Sequence, residues 1–214
     1  MKLWLGAAIL CSVCRAQAPS SLPAPALKRW HTIARGEPFV PMTGRDRADF
    51  LLRRTVLSAG APARAALQAG FDQWTNEPQA WEQGWNAYGR RFGNRWATAA
   101  VGNVVESGAA ATLGYEQRYI QCNCDGAFRR ARHALAMNFV TYDRRGRWVP
   151  NIPRVGSTIA AEYAARTWLP HEDRTAGQNA RDLALQVATG SLVNIWREFS
   201  PSFIRRLKSK WPRR

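Results

Sequence analysis

The residues of this chain that could do chemistry are two cysteines one residue apart, three histidines, and a few carboxylates set among arginines. Cys122-Asn123-Cys124 can close a small disulfide ring. Its plain role is a local staple at a turn. A redox role needs an activated thiolate, and Arg118, Arg129 and Arg130 are near in sequence. Cys122, Cys124 and His133 are too few ligands at the wrong spacing for zinc, so neither a metal nor a cofactor is expected. His31, His133 and His171 are the only histidines. His171 opens the polar stretch His171-Glu172-Asp173-Arg174 after Pro170, which reads as a solvated loop. No GxSxG, HExxH, Walker or dinucleotide motif is present.

The carboxylates point inward. Trp81, Trp85, Tyr88, Phe92 and Trp96 recur at steps of three and four, one face of a helix. The same stepping continues through Ala99 to Asn103 and Glu106. A carboxylate on a core face needs a partner, and Arg118, Arg132 or Arg166 could serve. Glu162 and Arg166 have the spacing of a pair within one helix. The expectation is a buried polar network of Asn103, Glu106, Arg132, Glu162 and Arg166. The enzymatic alternative is a polar pocket around Glu106, Glu162 and His133.

The C-terminal stretch carries a different chemistry. Phe203, Ile204, Leu207 and Trp211 interleave with Arg205, Arg206, Lys208, Lys210, Arg213 and Arg214. Rings and aliphatics among cations suit an anionic membrane face.

The elements that must position these groups read as helices. Arg45–Ser58 and Pro62–Trp74 are two, and Trp81–Leu113 is the long one. Gly89, Gly93 and Ala97 form a strip of small residues beside its aromatic ridge. Such a strip admits another helix backbone, and Gly156, Ala160 and Ala164 repeat the spacing. Asp125 is a plausible N-cap for a helix to about Tyr142. Further helices span Arg154–Trp168 and Arg181–Phe199, and Ser200-Pro201 starts a new turn before the tail. The fold class expected is all-α, a single bundle of five to seven helices with Gly/Ala contacts between them. No sustained strand pattern is present.

The composition bounds the setting. Of 214 residues, 31 are Lys or Arg and 15 Asp or Glu, for a net charge of +16. Only four of the basic residues are lysine, so 27 are arginine, which stacks on rings and forks onto carboxylates and phosphates. Lys2 followed by the apolar run Leu3–Cys14 reads as a secretory signal, with cleavage expected after Ala16. The mature chain then keeps 29 basic against 15 acidic residues, +14. A Pro/Ala-rich linker and irregular arm fill 17–44, the helical domain 45–200 and the basic tail 201–214. Export to the periplasm or cell envelope puts Cys122 and Cys124 in an oxidising compartment. It argues against nucleic acid as a partner.

Gly70-Phe71-Asp72-Gln73, Tyr88-Gly89-Arg90-Arg91-Phe92-Gly93, Gly102-Asn103, Arg118-Tyr119, Asp143, Gly146, Asn151, Gly156 and Arg174 carry a resemblance. From Phe50 through Arg206 the chain resembles a family of exported bacterial proteins with no known activity. Members usually have Asp-Pro where Glu116-Gln117 stands, and a Gly-rich segment where Cys122-Asn123-Cys124 stands. The resemblance implies export and one helical domain. The function expected is a cell-envelope protein held peripherally at an anionic lipid surface or by an envelope protein. An integral membrane helical protein is a further alternative, weakened by Asn103 and Glu106 within the apolar stretch 96–113.

Overall fold

The computed structural model describes residues 32–170 and 176–210. The expected signal segment, most of the linker, and His31, His171, Trp211, Arg213 and Arg214 lie outside that range. Six α-helices account for most of the described residues, so the fold is all-α.

Local chemistry sets the helix ends. Helix α1 (Gly44–Leu52) starts at a capping box: Thr43 Oγ1 accepts from the Asp46 amide at 3.2 Å, and Asp46 accepts from the Thr43 amide at 3.0 Å. The helix then widens into one π turn, Arg53–Leu57, a local distortion common at functional positions. Helix α2 (Gly60–Thr75) ends at Asn76, whose left-handed φ of 53° stops it. Arg91 is fully buried and fastens the next turn. Its guanidinium donates to the Glu77, Pro78 and Glu82 carbonyls and to Gln73 Oε1. Helix α3 (Trp85–Leu113) runs unbroken for 29 residues, through Gly102 and Gly108, to Gly114. At 1.5 Å per residue it is roughly 43 Å long.

Helix α3 packs most extensively on α5 (Ile152–Ala165) and α2. The expected pairing of α3 with α5 is present, but not at the expected place. The approach is at Gly102, where a Cβ would lie 3.4 Å from Ala161 Cβ and 3.7 Å from the Ser157 carbonyl. Gly89, Gly93 and Gly156 have no neighbour for a Cβ within 4 Å. The ridge is only partly inward: Trp85 is 88% exposed and Trp96 is exposed too, while Tyr88 and Phe92 are half-buried. The inward stripe is instead Ala87, Arg91, Arg95, Thr98, Asn103, Glu106 and Ala110. Arg95 must reach acids on two other helices, and that fixes the rotation of α3 about its axis.

Two short sheets complete the fold. Strand β1 (Thr32–Ile33) runs parallel to β2 (Tyr119–Ile120). Strands β3 (Val140–Tyr142) and β4 (Trp148–Pro150) form a hairpin around Asp143–Gly146. The helix expected from Asp125 to Tyr142 is therefore shorter. Helix α4 covers Ala127–Ala136, and the β-branched and aromatic Val140-Thr141-Tyr142 pairs as a strand. Asp125 is not its cap; it pairs with Arg35 at 2.7 Å. Tyr119, Ala134, Met137 and Tyr142 make the apolar core there.

Helix α6 runs from Ala176 to Lys210 without the break expected at Ser200-Pro201. Pro201 has no N–H for the Arg197 carbonyl one turn back. Gln121 Nε2 supplies a donor instead, at 2.7 Å. The neighbouring Glu198 carbonyl accepts from Arg130. Among the described residues no helix is long and apolar enough to cross a membrane.

Candidate functional site

The interior of this bundle is charged. Asp72 on α2 holds Arg95 on α3 through both carboxylate oxygens, at 2.6 and 2.7 Å. Arg95 also reaches Asp182 on α6 at 2.7 Å, and Arg181 approaches Asp72 at 3.5 Å. Burial works against the Arg95 charge, but Asp72 and Asp182 outweigh it and raise its pKa above the ordinary arginine value. Glu162 lies near this cluster and accepts from Gln186. Burial first, and Asp182 next, push its carboxyl up to about 6.

A second network converges on Glu198, which is buried in α6. Its Oε2 accepts from the Tyr119 hydroxyl at 2.7 Å and from the Cys122 amide at 3.1 Å. Its Oε1 accepts from Arg130 at 2.9 Å. His133 Nδ1 lies 3.9 Å from the carboxylate and 3.4 Å from the Tyr119 oxygen. Burial lowers the His133 pKa against the pull of Glu198. Burial, with Glu198, raises that of Tyr119. Cys122 and Cys124 are joined by a disulfide beside this network. His133 is thus a neutral, buried member of a polar network.

A third arrangement has room for a ligand. A cavity of about 290 Å³ lies between the π turn, α2, α3, α5 and α6. Arg54 from the π turn, Arg64 from α2 and Arg154 from α5 line it, with one carboxylate, Glu106 of α3. Arg54 Nη2 and Glu106 Oε2 are 2.7 Å apart. Burial pushes the Glu106 carboxyl up, yet Arg54, Arg154 and Arg64 together hold it below the usual carboxylate range. Burial, with Arg54 and Arg154 as like charges, pushes Arg64 down to about 10. Arg154 is also lowered, chiefly by burial. Arg197, nearby on α6, is pushed down to about 10 by burial and then by these same three cations. Gly190 lets α6 pass close: a Cβ there would sit 3.1 Å from Arg154 Nη2 and 2.8 Å from Asn138 Oδ1.

The residues expected to share one site are therefore distributed over three places. Asn103 and Glu106 line the cavity, and Asn103 donates to Thr55 Oγ1 at 3.2 Å. Glu162 belongs to the Asp72–Arg95 cluster and His133 to the Glu198 network. Glu106 pairs with Arg54, not with Arg118, Arg132 or Arg166. Arg118 instead chelates Glu116 at 2.8 Å. Arg132 is exposed on α4 and outside any buried network. Arg166 does not pair with Glu162; it stacks on Tyr163, 4.6 Å from the ring centroid. Phe203 and Ile204 are exposed on α6. Arg205, Arg206, Leu207, Lys208 and Lys210 continue that helix, with side chains outside the described part.

The cavity arginines escaped the sequence reading. Their only signal was one of context. Arg54 sits in Leu-Leu-Arg-Arg-Thr-Val-Leu, Arg64 in Pro-Ala-Arg-Ala-Ala-Leu and Arg154 in Ile-Pro-Arg-Val-Gly. Each is a cation in an apolar or small-residue surround. No protein-family model, no curated protein and no solved structure matches this chain.

Proposed function

We propose that this is an exported cell-envelope protein that associates peripherally with anionic membrane surfaces. One observation carries the reading. Charged pairs occupy the interior while large apolar side chains stand outside: Trp74 is 82% exposed, Phe128 80% and Leu192 67%. Where such side chains gather on one face, they mark contact with a membrane or another protein. The charge favours the membrane. On α6, Leu192, Trp196 and Phe203 fall on one helical face, and the helix runs on into Arg205, Arg206, Lys208 and Lys210. An open hollow of about 430 Å³, lined by Phe199, Phe203, Arg35 and Arg130, lies where α4 meets α6. Cations near an anionic leaflet contribute about 1 kcal/mol each. An inserted large apolar side chain contributes roughly 1.5–3 kcal/mol. A few of each suffice for reversible binding.

The test is sedimentation of the mature chain with vesicles of anionic or of neutral lipid. Binding is expected to anionic vesicles and to weaken in the Trp196→Ser/Phe203→Ser variant. A protein that stays in the supernatant at low salt overturns the reading. One that sediments without lipid or forms discrete oligomers assigns the apolar surface to a second copy instead.

A further inference from the structure

We propose that the arginine-lined cavity between α2, α3, α5 and α6 is a binding site for a phosphomonoester group, held by Arg64, Arg154 and Arg54 with the Thr98 hydroxyl. Two independent features point to a ligand. The first is unbalanced charge. Three guanidiniums face one carboxylate, Glu106, which leaves a surplus of two positive charges in the cavity. Only Arg54 is neutralised by contact with it. Among the described residues, the guanidiniums of Arg64 and Arg154 have no acceptor. A fold that satisfies Asp72, Arg95, Glu116, Arg118 and Glu198 so fully leaves these two unmatched. The second feature is an orphan hydroxyl. Thr98 is 95% buried on the cavity wall, at 5% relative exposure, and its Oγ1 has no hydrogen-bond partner.

The chemistry of the missing partner follows. It must bring about two negative charges and several acceptor oxygens, which is the description of a phosphomonoester near neutral pH. Guanidiniums fork onto phosphate oxygens through paired N–H donors. A single carboxylate would leave one arginine unmatched. The volume of about 290 Å³ is at the small end of ligand sites. It accommodates the phosphate and a small organic body. Val155, Ile159, Val187 and Phe139 are exposed and also line the cavity, so an apolar part of the ligand has a wall to lie on. The shared chemistry is the phosphomonoester, whether free in solution or the headgroup of a lipid. This site does not depend on the surface reading given above.

Titration calorimetry at constant ionic strength tests the proposal, with inorganic phosphate, glycerol phosphate and short-chain phosphatidate as the probes. The expected result is one-site binding to the full chain. Arg64→Gln and Arg154→Gln each weaken it about tenfold or more, the loss of one charge-assisted pair. Glu106→Gln tightens it, because a competing carboxylate is gone. Arg90→Gln and Arg145→Gln, exposed and remote from the cavity, leave it unchanged. Without phosphate, Arg64→Gln raises Tm, since one of three like charges crowded at the cavity is removed. That second readout stays informative if a cavity variant folds poorly. Tighter binding of phosphatidate than of the two soluble probes identifies a lipid headgroup; equal binding identifies a free phosphomonoester. Absence of binding by all three probes overturns the proposal. So does binding that Arg90→Gln and Arg145→Gln weaken as much as Arg64→Gln, which is nonspecific attraction to a basic surface.

Discussion

A guanidinium or carboxylate taken out of water is costly unless its charge and its hydrogen bonds are met at the new place. Arg95 meets that condition with two aspartates, and Glu198 with Tyr119, Arg130 and the Cys122 amide. Glu162 does not fully meet it, and its titration gives a test. Its carboxyl moves from an ordinary 4.5 to about 6 in the folded protein. Between those values the folded chain holds a proton that the unfolded chain has released. Stability from this group is therefore greatest below about pH 4.5 and is lost as pH rises to about 6. The size is about 1–2 kcal/mol. Glu162→Gln removes the titration. Melting wild type and variant across pH 4–7 is expected to show the variant gaining relative stability through that window and holding it above pH 6. Parallel curves would mean that Glu162 titrates normally.

At the scale of elements, helices here end or continue for reasons that lie partly outside them. Pro201 is a helix breaker by its own chemistry, yet α6 passes through it. Gln121 restores the donor the proline lacks. A double-mutant cycle isolates this contact. In the native background, Gln121→Ala strands a part-buried carbonyl and is expected to cost about 1–3 kcal/mol. In a Pro201→Ala background the new backbone N–H serves the same carbonyl, so the cost shrinks by about 1 kcal/mol. Additive unfolding energies would dissociate the two residues. A second test concerns α3. Gly89 and Gly93 face open space in helical geometry, so their only local effect is backbone freedom. Gly89→Ala and Gly93→Ala are each expected to stabilise by about 0.5–1 kcal/mol, measured by urea denaturation. Destabilisation would restore the idea of a helix packed into that strip.

The whole molecule combines a net charge of +16 with apolar side chains distributed over the outer faces of its helices. The two terms respond differently to salt. Screening shortens from about 10 Å at 0.1 M to about 3 Å at 1 M, which weakens the attraction to anionic lipid but leaves ring insertion intact. Vesicle binding is expected to fall steeply over that range and to level off above zero. The Trp196→Ser/Phe203→Ser variant is expected to fall to zero. Wild-type binding that disappears completely at 1 M would reduce the surface to electrostatics alone.

Helix class and the approximate extents of α2, α3 and α5 were legible from periodicity and proline placement, because these are local effects of backbone conformation; glycine spacing matched α3 to α5 but named the wrong contact, Gly89, Gly93 and Gly156 in place of Gly102. The same signals located Asn103 and Glu106 inside. Periodicity, however, names a face without saying which way it turns. The ridge Trp85–Trp96 and the stripe Arg91–Arg95–Thr98 lie on one helix at similar spacing, and hydrophobicity alone selects the rings. What turned Arg95 inward is its match to Asp72 and Asp182, 23 and 87 residues away, while Arg91 is held by the carbonyls of Glu77, Pro78 and Glu82. The same holds for the cavity, since Arg54, Arg64 and Arg154 belong to three separate elements. Sequence settled what each segment could become. Tertiary structure settled which charges met, because partners distant along the chain become neighbours only when the helices pack.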